Sequence, residues 1–285
     1  MPRLAAITPA AVLLSLFFVG PALWAVYASL TDRTLIGIGA QDTSFIGLDN
    51  YRRLWDDPDF IKILRNTMMF VVGSAVIGQT GLGLLLALLI NQARGSRLAG
   101  LAYAAVLVAW ISPPTFAGSI WGSIVDPKHG TLNQVLSAFG LPKVAMLDNH
   151  AMLLVVIADV WRGTAFAMII FLGALQTIPP QIYEAARVDG ANAWRRFRDH
   201  TLPMIGHLCA IVLMTTTITT MGSFLLIVIL TNGEPGKGTE TIALYAFHRA
   251  FSTYLIGYGA AISVVMLGLN LLFAAAYLRI ARVSE

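Results

Sequence analysis

The sequence predicts an all-α integral membrane protein with six transmembrane helices, and two observations carry that prediction. Of its 285 residues 57% are apolar and 12% charged, with a mean hydropathy of +0.73; soluble domains run to roughly 45–50% and 25%. Six windows lack Asp, Glu, Lys and Arg: 4–31, 66–93, 98–125, 163–183, 200–233 and 250–278. Each reaches the roughly 20 residues a helix needs to cross about 30 Å of hydrocarbon. Backbone groups in lipid must pair within their own segment, and no alternating ten-residue pattern points to a barrel, so the spans are helices.

The spans are placed at about 6–30, 66–90, 99–121, 152–174, 204–230 and 255–279, as one transmembrane domain over 1–285. The first follows Arg3 and contains Val26-Tyr27-Ala28, which imitates a signal cleavage site. Its uncharged run reaches Leu30, beyond the roughly 7–15 residues of a signal core, so it is read as a retained span. Segment 31–65 reads as a short amphipathic surface element. There Asp49 is placed to cap a helix carrying Tyr51, Leu54 and Trp55, and Asp57-Pro58-Asp59 starts another that runs into the second span.

The fourth span holds Asp159 and Arg162, three residues apart on one helix, so each offsets the charge of the other. Interfacial pairing and direct solute contact are both open to this pair. The fifth span carries Thr215, Thr216, Thr217, Thr219 and Thr220, then Gly222 and Ser223. Such hydroxyl density suits a polar solute path, and it equally suits threonines bonded to their own preceding carbonyls in closely packed helices.

Several chemistries are excluded. Cys209 is the single cysteine, so neither an intrachain disulfide nor a thiolate metal cluster can form. The net charge of +4 is scattered through loops and does not form the stripe a nucleic acid needs. Lys237 is followed by Gly238 where a phosphate loop needs Ser or Thr. His200 and His207 lack the Glu of a His-Glu-x-x-His zinc site, and no Gly-x-Ser-x-Gly occurs. Catalytic residues, a metal site and a cofactor site are therefore not expected on this chain.

The loop at about 178–203 is polar yet helix-prone. It reads Glu184-Ala185-Ala186-Arg187-Val188-Asp189-Gly190, with Leu202-Pro203 beginning twelve residues later. Small or apolar Ile182, Ala185, Ala186 and Ala193 alternate with charged Glu184, Arg187, Asp189, Arg195, Arg196 and Arg198, so the segment can both dock and form ion pairs. Gly190 suits a left-handed residue ending one short helix, Asn192 can cap the next, and Pro179-Pro180 and Pro203 stop the flanking spans from running through.

This loop resembles the one by which ABC importer membrane subunits grip their ATPases. Phe45-Ile46-Gly47-Leu48-Asp49-Asn50-Tyr51, Asn66-Thr67, Trp161, Leu230-Thr231-Asn232-Gly233-Glu234-Pro235 and Tyr258-Gly259 extend the resemblance over nearly the whole chain. They are similar to carbohydrate-type importer permeases of the maltose, trehalose and glycerol-phosphate kind. The resemblance implies a type I ABC importer permease fold in the bacterial cytoplasmic (inner) membrane, with the amino terminus in the cytoplasm. Nine Lys and Arg residues fall on each side in that topology, so orientation rests on the resemblance. It implies that Glu184, Ala185, Ala186, Arg187, Asp189, Gly190, Arg195, Arg196 and Pro203 couple to an ATPase. It implies a solute path through Thr219, Thr220, Gly222, Ser223, Asn232, Tyr258, Ser263 and Asn270.

The implied partners are a second homologous permease, two ATP-binding subunits and an extracytoplasmic solute-binding protein, in a lipid bilayer and without nucleic acid. ATP and magnesium belong to the partner ATPases, so this chain is not expected to be an enzyme. The implied cargo is a disaccharide or oligosaccharide, with trehalose or maltose nearest and glycerol-phosphate as the alternative. An ion-coupled secondary transporter has only Asp159 and Arg162 in its favour, and an intramembrane hydrolase has no clustered acid, nucleophile or metal set.

Overall fold

The computed structural model describes residues 2–283, whose regular elements are all helical apart from an isolated bridge between Thr31 and Phe45. In chain order they are α1 (2–29), α2 (Asp49–Trp55), α3 (Phe60–Gln92), α4 (Arg97–Ile111), α5 (Pro114–Val125), α6 (Thr131–Ala138) and α7 (Ala151–Gln176). There follow α8 (Pro180–Val188), α9 (Ala193–Met204), α10 (Gly206–Met221), α11 (Leu225–Leu230), α12 (242–252) and α13 (Ile256–Val283).

Among the described residues four helices are long and apolar enough to cross a membrane: Thr8–Ser29 within α1, α3, α7 and Ile256–Arg279 within α13. The third interval is bent within its length, and the fifth at its start, next to the Pro203 expected to keep the span from running through the elbow. Helices α4 and α5 meet at 106°, and α9 and α10 at 72°, so six spans result when each bent pair counts as one. Two prolines explain the first bend: Pro113 and Pro114 remove two amide donors, and Ser112 before them is extended, with φ −63° and ψ 128°. Helix α10 stops at Gly222 and α11 starts at Leu225, so the interval 204–230 holds two helices where one was expected.

Packing groups the described residues into two compact units. One comprises the residues up to Leu64 together with Ile242–Leu269. Within it the Asn50 amide donates to the carbonyls of Ser29 (2.9 Å) and Thr31 (2.8 Å), fixing α2 beside the end of α1. Asp49 does not cap α2. It is the first helical residue, and its carboxylate takes Arg52 at 3.2 Å instead. Asp57 accepts the amide of Asp59 at 2.9 Å, as its place before α3 suggests, and also the hydroxyls of Tyr245 and of Tyr258 (3.2 Å). Arg249 completes this node, 3.5 Å from the carboxylate and donating to the Tyr245 hydroxyl at 2.9 Å. Burial alone would raise the Asp57 pKa. The Tyr245, Asp59 and Tyr258 hydrogen bonds and the Arg249 charge more than offset it, holding it below its ordinary value.

The other unit comprises Arg65–Thr241 and the chain from Asn270. Its centre is a seam between α3 and α7. Gly73 faces Val156, Gly78 faces Val160 and Gly83 faces Ala167, while the opposite relation holds where Gly163 leaves room for Gln79. On α7 the partners 156, 160, 163 and 167 follow the 4-3-4 spacing of one helix face. On α3 the glycines are five apart, which is off-face in an α-helix, but Val72–Gln79 winds with i→i+5 turns that bring Gly73 and Gly78 into line. Such close approach replaces hydrophobic expulsion as the source of helix association in lipid. Toward the other end, Met168, Phe171 and Leu175 of α7 pack in a buried cluster with Ala87, Ile178, Ile205 and Val212.

Candidate solute cavity and coupling elbow

Helices α3, α7 and α10 carry buried Gln79, Asp159 and Thr220 to one place. The Gln79 amide Nε2 donates to Asp159 Oδ2 at 2.8 Å and approaches Thr220 Oγ1 at 3.3 Å, with Thr220 Oγ1 3.5 Å from the same carboxylate oxygen. A carboxylate only accepts, so it dictates which end of the Gln79 amide faces it. Arg162 NH2 stands 3.8 Å from Asp159 Oδ1, an ion pair without a hydrogen bond. Asp159 is 1% exposed, and its Oδ1 has no hydrogen-bond partner among the described residues.

Beside this node lies a cavity of about 400 Å³, within the size range of ligand pockets. Gln79, Arg162, Gly163, Thr215, Thr216, Thr219 and Thr220 contribute polar and small lining, and Trp110 and Phe166 contribute rings whose centroids are 6.5 Å apart. Thr215, Thr216 and Thr219 donate to the carbonyls of Ile211 (2.9 Å), Val212 (2.8 Å) and Thr215 (2.9 Å). Three of the four threonines lining the cavity are thus back-bonded, and the fourth, Thr220, turns to Gln79 and Asp159 instead.

Of the residues expected along a solute path, Thr219 and Thr220 line this cavity. Gly222 ends α10 and Ser223 follows it. Asn232 sits in the loop after α11 with φ 51°, and Asn270, on α13, has its Oδ1 buried without a partner among the described residues. Tyr258 and Ser263 belong to the first unit, where Tyr258 donates to Asp57 and Ser263 to the Gly259 carbonyl at 3.0 Å. Sequence reasoning missed Gln79, Trp110, Gly163 and Phe166. The one available signal was Gln79, an uncharged polar side chain in the middle of a span.

The second constellation is the elbow formed by α8 and α9. Gly190 has φ 76°, its amide donates to the Arg187 carbonyl at 3.0 Å, and the Ala191 amide donates to the Ala186 carbonyl at 2.9 Å. This is a Schellman ending, with Asp189 as the C-cap and buried Ala186 on its inner side. Asn192 Oδ1 then accepts the Arg195 amide at 2.9 Å and caps α9. Arg196 braces the turn by donating to the Ala191 carbonyl at 2.8 Å. Glu184, Arg187 and Arg196 border a recess of about 400 Å³ together with Tyr183 and Phe197. Ala185, Arg187, Asp189 and Arg195 are exposed, and Pro203 lies in the last turn of α9.

Two exposed apolar side chains were not singled out in the sequence: Val188 at 89% and Trp194 at 64%. The roots of the elbow are the reverse. Ile178 before α8 and Ile205 after α9 are both buried in the cluster of α7 and α10.

Comparison with known proteins agrees with this architecture. The family model described as "Binding-protein-dependent transport system inner membrane component" matches residues 79–283, which include both the cavity and the elbow. The chain is 35% identical to the sulfoquinovosyl glycerol transport system permease protein of Agrobacterium fabrum, covering 98% of this chain and 90% of that one. It is 33% identical to the trehalose/maltose transport system permease protein of Thermococcus litoralis, over 97% and 92%. A chain of the crystal structure of a bacterial alginate ABC transporter with its pentasaccharide-bound periplasmic protein superposes with a TM-score of 0.84 at 21% identity, covering 99% of this chain and 95% of that one. That likeness shows the all-helical permease fold. Family membership also sets aside the ion-coupled carrier and the intramembrane hydrolase as readings of Asp159 and Arg162. The chain belongs to the binding-protein-dependent transport system inner membrane components: it is the multi-pass permease of an ABC importer, not itself an enzyme, and it works with a binding protein and partner subunits.

Proposed function

We propose that this permease carries a neutral disaccharide or oligosaccharide, of the trehalose or maltose kind, along the cavity between α3, α7 and α10. The elbow of α8 and α9 faces the cytoplasm and receives the stroke of an ATPase, which places the amino terminus in the cytoplasm. A second homologous permease and two ATPase subunits complete the importer. One observation carries the reading: α7 and α10 wall the cavity and also root the elbow, at Ile178 and Ile205. Displacement of the elbow then reaches the cavity wall through Ile178 and Ile205, the buried residues at the breaks between α7 and α8 and between α9 and α10.

The choice of a neutral cargo rests on charge. Arg162 is the cation at the cavity, and Asp159 stands beside it, so the pair presents little net field to an anion. Glycerol-phosphate is the rival cargo, and the relative serving sulfoquinovosyl glycerol keeps a sulfonated one in view. Uptake by the reconstituted importer separates them. ATP-dependent accumulation of radiolabelled trehalose or maltose, with no accumulation of sn-glycerol 3-phosphate, supports the proposal; the reverse pattern ends it.

Asp159→Asn supplies a second check. Losing the charge leaves Arg162 uncompensated and turns the charge-assisted hydrogen bond from Gln79 into a neutral one, an effect of about 1–3 kcal/mol. Uptake of the neutral sugar should fall roughly ten- to hundredfold while the assembled complex is still recovered. Undiminished uptake would show that the node plays no part in transport.

A further inference from the structure

Gln79 carries more than its bonds to Asp159 explain. The side chain is 96% buried, since its relative exposure is 4%, and it lines the cavity. Its Nε2 is committed to Asp159 and Thr220, whereas among the described residues Oε1 accepts nothing. A Cβ on Gly163 would fall 2.3 Å from Cδ and 2.5 Å from both Nε2 and Oε1, so the bare glycine leaves room for the whole amide, Oε1 included. Gly163 lines the same cavity.

An amide oxygen that accepts nothing from the protein and belongs to a cavity-lining residue is free to take a hydrogen bond from a ligand, and a site built to do so favours ligands able to donate one. The surrounding groups add to the same preference. Thr215, Thr216 and Thr219 spend their hydrogens on helix carbonyls, so their oxygens face outward only as acceptors. A sugar hydroxyl brings the hydrogen that these acceptors lack. An ionised phosphate or sulfonate group brings none.

We infer that Gln79 is a specificity-determining residue, whose Oε1, aimed by the Asp159 carboxylate and uncovered by Gly163, accepts a hydrogen bond from one hydroxyl of the passing solute. This inference rests on the proposed neutral-sugar function and deepens it. Asp159 is a positioning residue in this arrangement: it holds Nε2 and thereby turns the oxygen toward the cavity.

The test uses the complete importer in proteoliposomes at saturating binding protein, with trehalose and a set of its deoxyfluoro analogues as probes. Fluorine occupies the place of a hydroxyl but donates no hydrogen. In the wild type, one positional analogue should be transported at least tenfold more slowly than trehalose. In Gln79→Met, which keeps the length of the side chain and removes the acceptor, trehalose uptake should drop to the rate of that analogue, so that the ratio approaches one.

A role in packing alone would slow every sugar alike and leave the ratio unchanged, which would overturn the inference. Equal rates for all analogues in the wild type would overturn it too. Should Gln79→Met fail to assemble, the exchange Gln79→Glu with Asp159→Asn decides, because it keeps an amide–carboxylate pair and presents a stronger acceptor. The penalty for the discriminating analogue must then grow, and a constant penalty rejects the idea. Absence of any ATP-driven trehalose or maltose uptake in the wild type would remove the proposed function and this inference together, whereas normal uptake with an unmoved ratio removes only the inference.

Discussion

Gly190→Pro is expected to abolish ATP-driven uptake, by more than roughly tenfold, while the permease still folds and inserts. Gly190 has φ 76°, and proline is locked near −65°, so the substituted turn cannot form. Its amide bond to the Arg187 carbonyl is lost as well, and with it the Schellman ending of α8. Together these cost about 3 kcal/mol or more, and the cost is confined to the elbow. Ile178 and Ile205 stay in their cluster, so α7 and α10 keep their packing. Measured on the purified complex, stimulated ATP hydrolysis should fall with uptake, and the melting temperature of the permease should move little. Gly190→Ala, which pays about 1–2 kcal/mol for a left-handed conformation, should lie between. Normal uptake by an assembled proline variant would deny the elbow its role in coupling.

Gly83→Leu should have the opposite signature: loss of folded permease before any question of transport arises. A Cβ at this position would lie 2.6 Å from the Ala167 side chain and 2.9 Å from the Met168 amide nitrogen. The second contact is backbone and cannot rotate away. Even one added methyl costs about 1–3 kcal/mol in a full core, and a leucine forces α3 and α7 apart along the whole seam. Yield of monodisperse complex by size-exclusion chromatography should drop at least roughly tenfold. Gly83→Ala with Ala167→Gly should recover part of the loss suffered by Gly83→Ala alone, because it removes the first contact and leaves the second. Equal recovery of the leucine variant and the wild type would show that the two helices do not need this approach.

The spans were legible because lipid excludes charge, and the charge-free windows therefore mark where helices begin and end. The elbow was legible for a different reason: Gly190 and Asn192 are residue types selected by backbone geometry, and the structure has the left-handed turn and the cap at those positions. The bends were less so. Pro113 and Pro114 sit inside an apolar run, and composition alone does not convert a pair of prolines into a turn of 106°. Gln79 was missed because its neighbours are set by i→i+5 turns, whose register differs from the period of an ordinary helix. Tyr258 looked like a path residue by resemblance, yet its hydroxyl is used by Asp57, a pairing between distant positions that no local pattern records. Trp110 and Phe166 are apolar residues within apolar spans, and only packing distinguishes the ring at a cavity from the ring against lipid.

The node around Asp57 bears on acid tolerance. A carboxylate whose folded value lies below its unfolded one contributes stability that is complete above the unfolded value and disappears only as pH falls through the folded value. Asp57 is of this kind, held down by two tyrosine hydroxyls, a backbone amide and Arg249 against the opposing effect of burial. Mild acidification therefore leaves it charged, and the clasp joining the start of α3 to α12 and α13 outlasts ordinary surface carboxylates in souring surroundings.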